Sequence, residues 1–226
     1  MRCCLWLMVA LLVSDPKREA ESLMERDPAA DRAGELLEKV IAANPNDAEA
    51  YYLMGRWALV KRRFARAAEA STRAAKLSSG NPAAQMQEWT IVALANDQMN
   101  KQVEADSAFR KALAFNRSLS RFDPIAAYEY LKVLERDHRD KEAYEVMTVI
   151  LEKSPDYGPA HLSRAKKLAA ENNIEEAVKE AEFALAHLDG GRVAERDAHY
   201  LLARLYLRLK RPDLAESHKQ WLSANP

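Results

Sequence analysis

The sequence predicts an all-α chain built from about six helix–turn–helix hairpins. Three observations carry this. Alanines recur at Ala33, Ala67, Ala105, Ala143, Ala177 and Ala215, with spacings of 34, 38, 38, 34 and 38 residues. Apolar or small residues keep phase with them. They stand seven residues later at Val40, Ala74, Ala112, Ile150, Ala184 and Leu222. They stand twelve residues earlier at Gly55, Ala93, Leu131, Ala165 and Ala203, with Glu21 breaking the phase in the first register. The composition agrees: 48% hydrophobic, 30% charged, six Gly and nine Pro in 226 residues. That is a globular mixture, rich in helix formers and short of the turn residues a β-rich fold needs. A period of this length marks stacked supersecondary units. A step of 38 is 34 plus about one helical turn.

Taken in order, residues 1–13 come first. Met1 and Arg2 precede an apolar run, Cys3 to Val13, followed by Ser14-Asp15-Pro16. This is the shape of a secretory signal, and it is too short to cross a bilayer as a helix. The small residues of a cleavage site are not evident, and Cys3 and Cys4 come too early for a lipoprotein cysteine. The expectation is export, to the periplasm or beyond. The alternative is a buried apolar helix on a cytoplasmic protein. The chain is Cys-free from Leu5 onward, so neither a disulfide framework nor a Cys-based zinc site can form there.

Unit one, about 14–47, has Lys17, Ala20 and Glu21 where apolar contacts are expected, so its first helix is predicted to be weak. Unit two, 48–81, turns at Lys61-Arg62-Arg63. Unit three, 86–119, turns at Asn100-Lys101, and unit four, 124–157, at His138-Arg139-Asp140. Unit five, 158–191, turns at Asn172-Asn173 and closes on Gly190-Gly191, a helix-stop signal. Unit six, 196–226, turns at Lys210-Arg211-Pro212. Pro212 suits the first helical turn, where its missing N–H costs little. Glu216, His218, Lys219 and Gln220 suit a solvated last helix. The extra residues before Gln85 and around Leu119 to Asp123 are expected to lengthen the connections. Small residues at the repeated alanines let helices approach closely. Tyr51, Met54, Phe64, Trp89, Phe109, Phe115, Tyr130, Met147, Tyr206 and Trp221 are expected to fill the space between hairpins.

The run Ala48-Glu-Ala-Tyr-Tyr-Leu-Met-Gly55, with Phe64-Ala-Arg-Ala67 opening the next helix, resembles the tetratricopeptide-repeat family, bacterial type. The resemblance covers about 14–226. It implies a right-handed superhelical solenoid of about six TPR-like helix-turn-helix hairpins. It also implies a non-enzymatic interaction scaffold or adaptor that holds a protein or peptide. In the family the first helix of each hairpin lines a concave groove, mainly through its second, fifth, ninth, twelfth and thirteenth positions. The fifth positions here are Arg18, Tyr52, Thr90, Tyr128, Leu162 and Tyr200. The ninth are Ser22, Arg56, Leu94, Lys132, Lys166 and Arg204. The candidate groove residues are therefore Tyr52, Arg56, Thr90, Leu94, Tyr128, Lys132, Leu162, Lys166, Tyr200 and Arg204. Tyr52/Arg56, Tyr128/Lys132 and Tyr200/Arg204 are three tyrosine–base pairs at i, i+4. Tyrosine offers area with a polar tip, and a base pairs with ligand carboxylates. The expected partner is a protein or peptide of acidic and apolar character. The twelfth and thirteenth positions add Leu59, Val60, Asp97, Gln98, Glu135, Arg136, Leu207 and Arg208. The family's clamp for carboxy-terminal peptides is matched only by the base at Arg56.

Catalytic chemistry is not indicated. No glycine-rich phosphate loop exists, and none of the five histidines pairs at i, i+4 as on a zinc-binding helix. His138-Arg139-Asp140 spells a kinase catalytic-loop tripeptide but falls in a turn, with no other kinase motif present. The expectations are therefore no catalytic residue, no cofactor and no metal. Lys+Arg and Asp+Glu are 34 each, so the net charge is zero, which argues against nucleic acid as partner. Membrane association is expected only through residues 1–13. Two alternatives come from other classes: a self-associating structural subunit, and more remotely an accessory module of an enzyme. A place in a bacterial envelope assembly or secretion complex is the finer expectation.

Overall fold

The computed structural model describes residues 15–188 and 192–226. The apolar segment 1–13 and Gly190-Gly191 lie outside the described residues. Twelve α-helices and no strand occur among the described residues. They are α1 Pro16–Arg26, α2 Asp31–Ala43, α3 Ala48–Val60, α4 Phe64–Leu77, α5 Pro82–Gln98 and α6 Gln102–Ser118. Then follow α7 Pro124–Arg136, α8 Asp140–Lys153, α9 Gly158–Ala170, α10 Ile174–Ala186, α11 Arg192–Arg208 and α12 Pro212–Ala224. Odd-numbered helices open the hairpins and even-numbered ones close them.

Four opening helices, α1, α3, α5 and α7, start on side-chain caps, whereas α9 has none. Asp15, Asp47, Asn81 and Asp123 accept from the backbone N–H of Lys17, Ala50, Ala84 and Ile125 at 3.0, 2.9, 3.2 and 2.9 Å. Each satisfies a donor that the first turn leaves orphaned. Pro16, Pro82 and Pro124 hold the first helical position, where no N–H is needed.

Closing helices α4, α6, α8, α10 and α12 have no side-chain cap. Each follows a turn with one left-handed residue: Arg62, Asn100, His138, Asn172 or Lys210, at φ 56°, 58°, 55°, 64° and 59°. The next N–H bonds back to a carbonyl five residues earlier. The five bonds are Arg63 to Ala58, Lys101 to Asn96, Arg139 to Leu134, Asn173 to Leu168 and Arg211 to Tyr206, at 2.8–2.9 Å. This is Schellman closure, which usually recruits glycine. Here it is made five times without one.

The chain divides into two compact units, one ending at Arg121 and one running from Phe122 to Pro226. In the first unit α2 packs on α3 and α4 on α5, while the opening helices α1, α3 and α5 touch in succession. In the second unit α8 packs on α9 and α10 on α11, and α9 touches α11. All six repeated alanines are buried, none more than 7% exposed. Leu37, Leu53, Met54 and Trp57 fill the core of the first unit around Ala33 and Ala67. Ile174, Val178, Leu202 and Leu205 do so in the second around Ala177 and Ala215.

Two expectations are corrected. The first helix of unit one is fully formed as α1. Asp15 caps it, Ala20 and Met24 are buried, and Lys17 reaches Asp47 and Glu49 at 3.1 and 2.6 Å. The lysine ties α1 to the start of α3 and needs no apolar contact. The connection at 119–123 is longer as expected, five residues against four in 44–47, 78–81 and 154–157, but the other extra residues do not lengthen connections. They lengthen helices: α5, α6 and α11 have 17 residues, whereas α2, α3, α7, α9 and α10 have 13. Gln85 lies inside α5, and segment 78–81 is no longer than 44–47 or 154–157. One added helical turn keeps the apolar phase, so it disturbs packing less than a loop insertion would.

Candidate partner-binding faces

The ten candidate residues sit on five opening helices, four in the first unit and six in the second. In the first unit, Tyr52 is half-buried on α3 and Arg56 is exposed, its guanidinium carbon 5.6 Å from the Tyr52 ring centre. Burial pushes the Tyr52 phenol above its ordinary range. On α5, Thr90 is half-buried and donates to the Met86 carbonyl at 2.8 Å, so its hydroxyl is already used. Leu94 is half-buried.

In the second unit, Tyr128 of α7 is half-buried, with Lys132 Nζ 5.8 Å from its ring centre. Its ring meets Tyr157 edge-on at 5.6 Å, and Ser163 hydrogen-bonds it. Lys132 also pairs with Glu129 at 2.8 Å. Lys166 of α9 pairs with Asp197 of α11 at 2.8 Å, bridging two opening helices. Tyr200 of α11 is 58% exposed, and Arg204 stands 5.7 Å from its ring centre. Leu162 departs from expectation. It is 3% exposed and packs in a small core with Ala184 and Ala198, so its side chain faces inward.

All three tyrosine–base pairs thus exist as intrahelical cation–ring contacts. Each contributes about 0.5–1 kcal/mol at an exposed site. The contacts hold the rings and cations side by side on the helix surface. Arg56 and Arg204 have no ion-pair partner among the described residues. Exposed aliphatic residues extend the stripes: Val60 on α3, Ile125 on α7 and Leu207 on α11, at 50%, 63% and 47% exposure. Four of the six exposed large apolar residues, counting Tyr200, belong to these stripes. Ile125 is absent from the candidate residues although it stands at the second groove position of its helix, which was the available signal. At the twelfth and thirteenth positions, Asp97 is buried, and Arg208 is spent on the Ala169 carbonyl and Asn172 Oδ1 at 3.1 and 2.6 Å.

A cleft of about 440 Å³ in the second unit is lined by Glu135, Ser163 and Lys166 together with Tyr144 and Met147. Among the described residues no three His, Cys, Asp or Glu side chains converge as a metal site would require, and no helix is long and apolar enough to cross a membrane.

No protein-family model and no curated protein matches the sequence. Solved structures do. The chain is similar to PilW, described as a widely conserved type IV pilus biogenesis factor. Identity is 15%, coverage 93% of this chain and 91% of that one, and the TM-score 0.71. It is similar to YrrB, described as a TPR protein with an unusual peptide-binding site. Identity is 19%, coverage 82% and 89%, and the TM-score 0.58. It is also similar to MamA from Desulfovibrio magneticus RS-1, with 16% identity, coverage 78% and 93%, and a TM-score of 0.59.

Proposed function

We propose that this chain, which has the tetratricopeptide-repeat fold, is a non-enzymatic scaffold that holds a protein or peptide on the exposed faces of its opening helices. One observation carries the reading: three helices repeat the same surface of tyrosine, base and exposed aliphatic residue. A face that repeats tyrosine beside a base, with Lys132 in an exposed pair with Glu129 and Arg56 and Arg204 without ion pairs among the described residues, suits a ligand alternating apolar and acidic groups. Preformed helices lower the ordering cost on the receptor side. Contact residues are Tyr52, Arg56, Thr90 and Leu94 in the first unit, and Tyr128, Lys132, Lys166, Tyr200 and Arg204 in the second. YrrB, with its peptide-binding site, supports the ligand class by likeness of fold. Residues 1–13 support export by sequence alone, and the likeness to PilW supports a role in envelope assembly.

The test is selection of displayed random peptides on the wild-type chain beside Arg56→Glu/Lys132→Glu/Arg204→Glu. Enrichment of Asp and Glu among apolar residues, lost on the triple variant, is the expected result. Basic enrichment, or equal selection by both proteins, would sink the proposal.

A further inference from the structure

We propose that His199 of α11 and His218 of α12 form a proton-limited latch that holds the last helix in place and releases it on mild acidification. The inference does not depend on the partner-binding reading.

The two Nδ1 atoms lie 2.8 Å apart. A hydrogen bond between imidazole nitrogens needs one N–H and one lone pair. The neutral pair meets this with one ring protonated on Nδ1 and the other on Nε2. A first added proton goes to Nε2 of the donor ring and leaves the bridge intact. A second must enter the gap between the two Nδ1 atoms. It sets two N–H groups against each other and breaks the bridge. The pair therefore accepts one proton with its geometry kept and a second only by opening.

The surroundings make that opening consequential. His199 stacks on Trp221 at 3.9 Å and 8°, and His218 lies parallel to Tyr206 at 5.8 Å and 12°. The Tyr206 hydroxyl donates to Glu182 of α10. Burial and that bond push the Tyr206 phenol up to about 12, so it stays a donor. The series Trp221, His199, His218, Tyr206, Glu182 thus alternates between α12 and α11 and ends on α10. The only fully buried residue of α12 is Ala215, so the helix relies on this half-buried stack more than on a deep core.

The charged groups that face the pair are Glu195 of α11, beside His199, and Glu182 of α10, beside His218. Both carboxylates favour the imidazolium. Burial opposes them and is the larger effect, holding both histidines below their ordinary 6.5. A lowered value means that the undocked helix takes up protons first as pH falls. Docking is thus strongest above the ordinary histidine value and weakens below it.

Amide hydrogen exchange on the full chain, at about pH 7.5 and about pH 5 and corrected for intrinsic rates, tests this. Opening of 212–224 should rise on the order of tenfold on acidification, with 174–186 unchanged. His218→Gln can still bridge to His199 but removes one of the two buried imidazoles, so its α12 should show a clearly smaller rise. A wild-type α12 indifferent to pH, or a full rise kept by His218→Gln, overturns the latch. If His218→Gln undocks α12 at every pH, the ring C2-proton titrations of wild-type His199 and His218 decide: two separated steps support the latch, and one superimposed step overturns it.

Discussion

Gly34 of α2 and Trp57 of α3 pack so closely that a Cβ on the glycine would lie 2.4 Å from Cζ2 of the indole. Trp57 is 3% exposed, and its Nε1 donates to the Ala30 carbonyl at 2.9 Å, just before α2 begins. The Arg63 guanidinium covers the ring at 4.8 Å. One tryptophan thus clamps the end of the first hairpin to the second. Gly34→Ala should lower stability by about 1–3 kcal/mol through overpacking, even though alanine gains about 1 kcal/mol in helix propensity. Urea unfolding measures this. A variant as stable as wild type would mean that Trp57 re-seats without cost.

Gly55 and Ser71 make a second tight contact. A Cβ on Gly55 would meet Ser71 Oγ at 2.0 Å but Ser71 Cβ only at 3.3 Å. Ser71 is fully buried and its Oγ has no hydrogen-bond partner among the described residues. Ser71→Ala should raise stability by about 1 kcal/mol, since a buried unsatisfied hydroxyl is removed. It should also relieve most of the loss caused by Gly55→Ala. A double-mutant cycle reads that coupling, and additive effects would contradict it.

Non-glycine residues in the five hairpin turns hold a conformation that costs an L-residue about 1–2 kcal/mol. His138→Gly, at an exposed position with φ 55°, should therefore stabilise the chain by about 0.5–1 kcal/mol. Lys210→Gly should behave alike. Thermal melting would show it, and a lowered midpoint would refute the strain argument.

Glu88 of α5 is 2% exposed and accepts from Ser78 Oγ at 2.5 Å. Burial pushes its carboxyl above the ordinary range. The folded state therefore holds this proton more tightly than the unfolded state, and its contribution to stability falls as pH rises past the ordinary value. Glu88→Gln should gain stability relative to wild type on going from about pH 5 to about pH 7. A constant difference between the two proteins would remove the titration from the account. The histidine latch has the opposite slope and is common to both.

Arg56→Glu, Lys132→Glu and Arg204→Glu together should leave melting nearly unchanged. Arg56 and Arg204 have no ion pair among the described residues, and the exposed Lys132–Glu129 pair is worth about 0.2–1 kcal/mol. A large loss of helicity would show these cations to be structural.

The hairpins were legible because burial of one helix stripe imposes a period on the sequence. Ala33, Ala67, Ala105, Ala143, Ala177 and Ala215 are all core positions. The turns were legible as polar breaks, although Arg62, His138 and Lys210 carry no hint of left-handed backbone. The candidate faces were legible in part. The i, i+4 spacing is local geometry, so Tyr52/Arg56, Tyr128/Lys132 and Tyr200/Arg204 fell on one helix side as expected. Leu162 did not follow its register, because apolar contact with α10 and α11 draws it inward.

By itself the sequence determined the all-α class and the phase of the core, since each follows from short-range periodicity; the starts of α5 at Pro82 and α11 at Arg192 lie four residues before the expected unit bounds. Only tertiary structure decided that α1 is whole, that inserted residues extend α5, α6 and α11, that Gly34 seats Trp57, and that His199 meets His218. Those outcomes depend on which side chains from distant segments come within a few ångströms. No local pattern encodes that, because a contact between neighbouring helices is set by packing between segments far apart in the chain.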